Sequence, residues 1–123
     1  MKLENYVAGW RPSVSGATAQ RSNPSDSTVV VGTFQESTEV DVDDAVSAAA
    51  EALPRWSATP ISVRAAILSR AAIIMRSRSE EIGRCLSVEE GKPLAEGVGE
   101  VQRAADTFDY SASFAKRSVG LVI

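Results

Sequence analysis

Hydrophobic and polar positions change their spacing near residue 40. Before that point, apolar and β-branched residues occur in short runs separated by turn-forming pairs, which predicts strands. The predicted strands are Asn5–Ala8, Thr18–Arg21 and Val29–Gln35. After it, apolar positions recur at three- and four-residue steps in an Ala-rich background, which predicts helices. Residues 1–39 are therefore expected to be strand-rich and residues 40–117 helical.

The helical part divides into four predicted helices. The first is expected to be capped by Asp41 and stopped by Pro54. The second begins after Pro60, and the third ends at Gly91, because glycine favours the left-handed conformation that follows many helices. The apolar face of the second helix is wide enough to predict cover on more than one side. It consists of Val63, Ala66, Ile67, Ile74 and Met75.

The fourth helix has the clearest apolar period. Its positions advance by alternating steps of four and three residues: Leu94, Val98, Val101, Ala105, Phe108, Ala112 and Ala115. Gly97 and Gly99 in its first turns indicate close backbone packing or a later start of the helix. We call this set the α4 seam, and we predict that it packs against a sheet or a helix or mediates self-association.

The fold class predicted from these elements is α+β, with short N-terminal strands that form a hairpin followed by about four helices. Residues 118–123 are apolar and β-prone, which is typical of a segment that continues into a strand. No repeat of fixed period and no long linker divides the 123 residues.

Composition excludes several classes of function. There is no histidine and one cysteine, which excludes His-based triads, Cys/His zinc sites and internal disulfides. Thirteen basic residues against 16 acidic ones leave no excess charge for a nucleic-acid backbone. The first ten residues carry acidic and amide groups where a signal peptide needs an apolar run. We therefore expect a cytoplasmic chain without a nucleic-acid or membrane partner.

Two glycine-containing segments have the beginnings of nucleotide-binding motifs. Gly91-Lys92 resembles the end of a phosphate loop, but Leu86 and Pro93 stand where that motif needs Gly and Ser or Thr. Gly97-Val98-Gly99 begins like a dinucleotide fingerprint, but Gln102 replaces the third Gly. No cofactor-binding residue is assigned from either segment.

The remaining candidate groups also favour structural roles. Cys85 is predicted to be a small buried hydrophobe, since no histidine is available as a base. Glu89 and Glu90 are adjacent on a helix and point in different directions, which disfavours a paired-carboxylate mechanism. We assign no catalytic and no metal-binding residue. Trp10 and Trp56 are interpreted as packing or interface anchors, and Arg64 and Arg70 do not form an anion clamp.

The order of several short segments resembles the opening of the aldehyde dehydrogenase superfamily. The resemblance spans residues 5 to about 117, and its strength lies in the collinear spacing. The segments are Asn5–Trp10, Asn23-Pro24, Asp41–Ala49, Trp56, Arg64, Glu89–Glu96 and Glu100-Val101. The stretch from Gly91 to Ala105 is most similar to bacterial members that act on semialdehydes.

The resemblance implies an NAD(P)-dependent oxidoreductase that forms a carboxylic acid through a thiohemiacetal on a cysteine. The matched residues would be the start of the α/β cofactor-binding domain. The family's catalytic cysteine, general base and cofactor strands have no counterpart in this chain, and Cys85 does not match the catalytic cysteine. Residues 1–123 are thus expected to be an N-terminal fragment that is inactive alone and binds neither NAD nor NADP alone.

Two departures from the family pattern affect these expectations. Gly9 and Trp10 are adjacent where the family has one more residue, which puts the pairing of the first hairpin in doubt. Residues 118–123 resemble the family only loosely. The alternative hypothesis is a small non-catalytic helical interaction protein that self-associates through the α4 seam, Leu94–Ala115.

Overall fold

The computed structural model describes residues 2–116, and the expectation for residues 118–123 lies outside this range. The strands in chain order are β1 (Lys2–Leu3), β2 (Asn5–Tyr6), β3 (Trp10–Arg11), β4 (Thr18–Asn23) and β5 (Asp26–Gln35). The helices are α1 (Glu39–Ala58), α2 (Ile61–Ser77), α3 (Ser79–Glu90) and α4 (Leu94–Ser113), followed by a 3₁₀ turn at Phe114–Lys116. The predicted α+β class, with N-terminal hairpins followed by four helices, is confirmed.

These elements belong to two compact units. The first contains the described residues of Met1–Ala58 and Val88–Gly91, and therefore holds all five strands, α1 and the end of α3. The second contains the described residues of Thr59–Ser87 and Lys92–Ile123, and therefore holds α2, most of α3 and α4.

A three-stranded sheet in the order β1-β5-β4 forms the larger sheet of the first unit. β4 and β5 are antiparallel and pair Thr18 with Gln35, with a register irregularity beside Ser22. Their turn is stabilised locally, because the Asn23 side chain accepts a hydrogen bond from the Ser25 amide at 2.9 Å. β4 ends later and β5 begins earlier than predicted. The sequence pattern marks only the apolar residues, whereas the paired strands also include polar ones.

β2 and β3 form a second, smaller antiparallel hairpin in which Tyr6 pairs with Trp10. The Asn5–Ala8 strand prediction holds only for its first two residues. Val7 instead opens the turn by donating its amide hydrogen to the Gly9 carbonyl, and Ala8 and Gly9 adopt φ of 53° and 149°. The pairing in doubt from the sequence is thereby decided, because both aromatic side chains lie opposite each other with ring centroids 5.1 Å apart.

Two predictions for α1 are wrong. Asp41 is not the N-cap: Thr38 precedes the helix, and the Asp41 carboxylate accepts the Thr38 backbone amide hydrogen at 2.7 Å, as the third residue of a capping box does. Pro54 does not stop the helix, which continues to Ala58. Proline removes one amide donor, but its own carbonyl still accepts, here from the Ser57 hydroxyl at 3.1 Å.

In the second unit, α2 packs against α4. The buried apolar side chains among the described residues are all small or medium in size, and none of the large ones is fully buried. They are Ala72 of α2 and Val101, Ala105 and Ala112 of α4. The opposite face of α2 remains exposed at Val63, Ile67 and Ile74, so the expected cover on more than one side is not provided within the described residues.

α3 approaches α4 through glycine. A Cβ atom placed on Gly83 would lie 2.7 Å from the Cα atom of Val98, and one on Gly97 would lie 2.5 Å from the Gly83 carbonyl oxygen. Close backbone packing is thus the reason for Gly97. α3 ends before Gly91 as predicted, with φ of 73° at that residue.

Candidate functional site

Cys85 lies exposed on α3, so the prediction of a buried hydrophobe is wrong. Its helix buries Gly83 and Ser87, which point about 160° away from Cys85 at 100° per residue. Burial of α3 is decided by small residues that permit close contact with α4, and the apolar pattern of the sequence did not reveal that face. The thiol is therefore open to solvent and is not enclosed as an active-site nucleophile is.

Glu89 and Glu90 lie exposed at the end of α3. They precede Gly91, which is held against the β4–β5 turn of the first unit: its carbonyl accepts a hydrogen bond from the Ser25 hydroxyl at 2.5 Å. The positive φ of Gly91 reverses the chain there, and Ser25 occupies the space that a Cβ atom would need. The glycine next to Lys92 thus serves packing and does not border an open phosphate cradle.

Lys92 is engaged by a carboxylate. Its Nζ atom lies 2.7 Å from Oε2 of Glu100, and its side chain is 15% exposed. The hydrogen bond from Lys92 lowers the pKa of the Glu100 carboxyl. A phosphate reaching Lys92 would have to displace this ion pair.

The Gly97-Val98-Gly99 segment does not have the geometry of a dinucleotide-binding turn. Ser87 and the backbone of Gly83 occupy the space beside Gly97, which is the first glycine of the incomplete fingerprint. Gly99 has open space around it, but no strand leads into the α4 N-terminus at Leu94. A dinucleotide needs backbone amides presented to its pyrophosphate after a strand, and this segment does not present them.

Asp41 is the ionisable group most strongly perturbed by its surroundings among those described. Its carboxylate is buried and accepts hydrogen bonds from the Ser13 hydroxyl at 2.7 Å, the Val14 amide at 3.1 Å and both donors of Thr38. The Thr38 amide first, and the Ser13 hydroxyl second, hold the pKa of Asp41 well below its usual range. The sequence signal was the Thr-x-x-Asp spacing of a capping box. The carboxylate connects residues 13–14 to α1, and both of its oxygen atoms already accept hydrogen bonds from the chain.

The aromatic and arginine candidates lie apart from one another. Trp10 of β3 is largely exposed and packs edge to face with Tyr6, whereas Trp56 lies half-exposed in the last turn of α1. Arg64 and Arg70 are about 120° apart around α2, by the 100° rotation per helical residue. The structure therefore brings neither pair together into a binding site.

The α4 seam is largely used inside the second unit. Val101, Ala105 and Ala112 are buried, whereas Leu94 and Phe108 are each exposed by slightly more than a third. The predicted packing of the seam against a helix is therefore confirmed for its middle, where α4 packs against α2. Self-association through the seam stays a prediction.

An exposed apolar surface lies on α1. Its apolar side chains recur on one face and are exposed: Val46 is 64% and Leu53 is 60% accessible. Every residue from 49 to 58 is exposed. We call this set the α1 apolar face; its members are Val42, Ala45, Val46, Ala49, Ala50, Ala52, Leu53 and Trp56. The 4-3-4-3 spacing of Val42, Val46, Ala49, Leu53 and Trp56 was the available signal.

Within residues 2–116, no group of three or more carboxylate or thiol side chains is placed to hold a metal ion. In the same range, no single helix is long and apolar enough to cross a membrane. The bent pair of α1 and α2 resembles a membrane span in length and composition only.

Comparison with known proteins connects these observations to a family. The model of the aldehyde dehydrogenase family matches residues 10–123. The chain is 42% identical over 111 residues to α-ketoglutarate semialdehyde dehydrogenase of Haloferax volcanii, covering 89% of this chain and 23% of the relative. It is 39% identical over 120 residues to α-ketoglutaric semialdehyde dehydrogenase of Bacillus subtilis, covering 97% of this chain and 25% of the relative.

A solved structure has the same fold. The crystal structure of an NAD-dependent aldehyde dehydrogenase from Sinorhizobium meliloti superposes with a TM-score of 0.88 at 32% identity. The superposition covers 93% of this chain and 23% of that one. The chain thus spans about a quarter of the length of the relatives it matches.

Proposed function

Because this chain belongs to the aldehyde dehydrogenase family, we propose that it serves as the N-terminal portion of an NAD(P)-dependent enzyme that oxidises an aldehyde to a carboxylic acid. The observation that carries this proposal is the family match over residues 10–123. The described residues form a scaffold of two hairpins and four helices. The reacting groups would come from the other three-quarters of a family-length polypeptide.

The proposed substrate class is a semialdehyde. It is supported by the names of the two relatives, both of which are α-ketoglutarate semialdehyde dehydrogenases. A semialdehyde carries a carboxylate in addition to its reactive aldehyde group, so specificity needs a cation or amide donors that bind this carboxylate. We assign none of the described residues to that recognition.

The proposed cofactor of the complete enzyme is NAD or NADP. The NAD-dependence of the S. meliloti structure supports it. Neighbouring atoms occupy the space beside Gly91 and Gly97, which leaves no room there for a phosphate group. We therefore propose that the cofactor is held by residues beyond this chain. The exposed Cys85 thiol is compatible with the reducing cytoplasm that we propose as the location, and cell fractionation tests that location.

We propose that the 123-residue chain is inactive by itself. A transition state on this chain would lack an enclosed nucleophile with a neighbouring base, because Cys85 is exposed and the sequence contains no histidine. The test is reduction of NAD or NADP by the purified chain with α-ketoglutarate semialdehyde. We expect no reduction; turnover that disappears in Cys85→Ser would contradict the proposal.

A chimera tests the positive half of the proposal. Residues 10–123 replace the matching segment of the B. subtilis relative, which is similar over 97% of this chain. We expect the chimera to oxidise α-ketoglutarate semialdehyde with reduction of the nicotinamide cofactor. A folded chimera without this activity would argue against the assignment, and the unmodified relative is the matched control.

The alternative hypothesis of a small interaction protein is tested by the molecular mass of the chain in solution. A discrete dimer of the 123-residue chain in sedimentation, disrupted by Phe108→Glu at an exposed position of the α4 seam, would support that alternative. The burial of Val101 and Ala105 favours the hypothesis that the chain is the N-terminal portion of an enzyme, because little of the α4 seam is left to contact a second copy.

A further inference from the structure

We draw no further inference here: the strongest candidate, the open cavity between α2 and α4 that is lined by Ser62, Ser69 and Asp109, carries nothing, because nothing in the described part of the chain shows what covers it.

Discussion

Gly83 of α3 lies against the backbone of Val98 of α4, where a Cβ atom would be 2.7 Å from both the Cα and N atoms of Val98. This contact fixes α3 on α4 without a large side chain at the interface. Ser87, one turn further along α3, contributes by donating its hydroxyl hydrogen to the Gly83 carbonyl at 2.8 Å. The close approach of α3 to α4 thus depends on the absence of a methyl group at Gly83.

Gly83→Ala should destabilise the chain by about 1–3 kcal/mol, the range for overpacking, because the added methyl group meets backbone that cannot rotate away. Urea unfolding followed by circular dichroism measures the change. Gly99→Ala is the control, since nothing lies within 4 Å of its added Cβ. That variant should gain about 0.5–1 kcal/mol from helix propensity. Equal midpoints for the two variants would show that the close approach is absent.

Gly91→Ala should be destabilised by two separable effects. The left-handed backbone costs about 1–2 kcal/mol in a residue with a Cβ, and the methyl group would also lie 2.9 Å from the Ser25 amide nitrogen. Gly16→Ala is the matched control, with φ of 67° and open surroundings, and should show the backbone effect alone. The two urea midpoints are compared; a loss for Gly91→Ala no larger than for Gly16→Ala would disprove the contact.

Asp41 should make stability depend on acid pH. Its folded pKa is depressed below the ordinary value of 3.8, so its contribution is fully present above that value. The contribution should decline as the pH falls from there toward the folded pKa. Asp41→Asn removes it at every pH. We expect the difference in urea midpoint between the two proteins to be constant near neutrality and to shrink below pH 3.8.

The comparison with Asp41→Asn is needed because other carboxyls respond to acid as well. Asp26, Glu81 and Glu100 also have lowered pKa values, through hydrogen bonds from Thr28, Arg78 and Lys92 respectively. They are present in both proteins and cancel in the difference. A difference that does not change with pH would mean that the Asp41 carboxylate is not held by these donors.

Cys85 should react with a thiol reagent in the native chain. Because the side chain is exposed, its rate with 5,5′-dithiobis(2-nitrobenzoate) should be within a few-fold of the rate in urea, since no opening reaction is required. Cys85→Ser should change the free energy of unfolding by less than about 0.5 kcal/mol, as surface substitutions do. Slow native labelling with a destabilised Cys85→Ser variant would restore the buried assignment.

The sequence determined the order and type of the main elements. The apolar periods predicted α2, α3 and α4, and Gly91 was predicted to end α3, because helix propensity and terminators act over a few neighbouring residues. The short runs of apolar and β-branched residues similarly placed the cores of β4 and β5. The family resemblance also came from the sequence, since collinear spacing survives where individual residues vary.

Other features were decided by the tertiary structure. Which face of α3 is buried depends on where its glycine meets α4, and that contact moved Cys85 to the surface. The capping role of Asp41 depends on Thr38 and on the Ser13 loop 28 positions away. α4 and α1 carry the same 4-3 period, but the middle of the α4 seam is buried whereas the α1 apolar face is exposed. Periodicity gives the face that a helix would bury, whereas the neighbours present in space decide whether that face is covered.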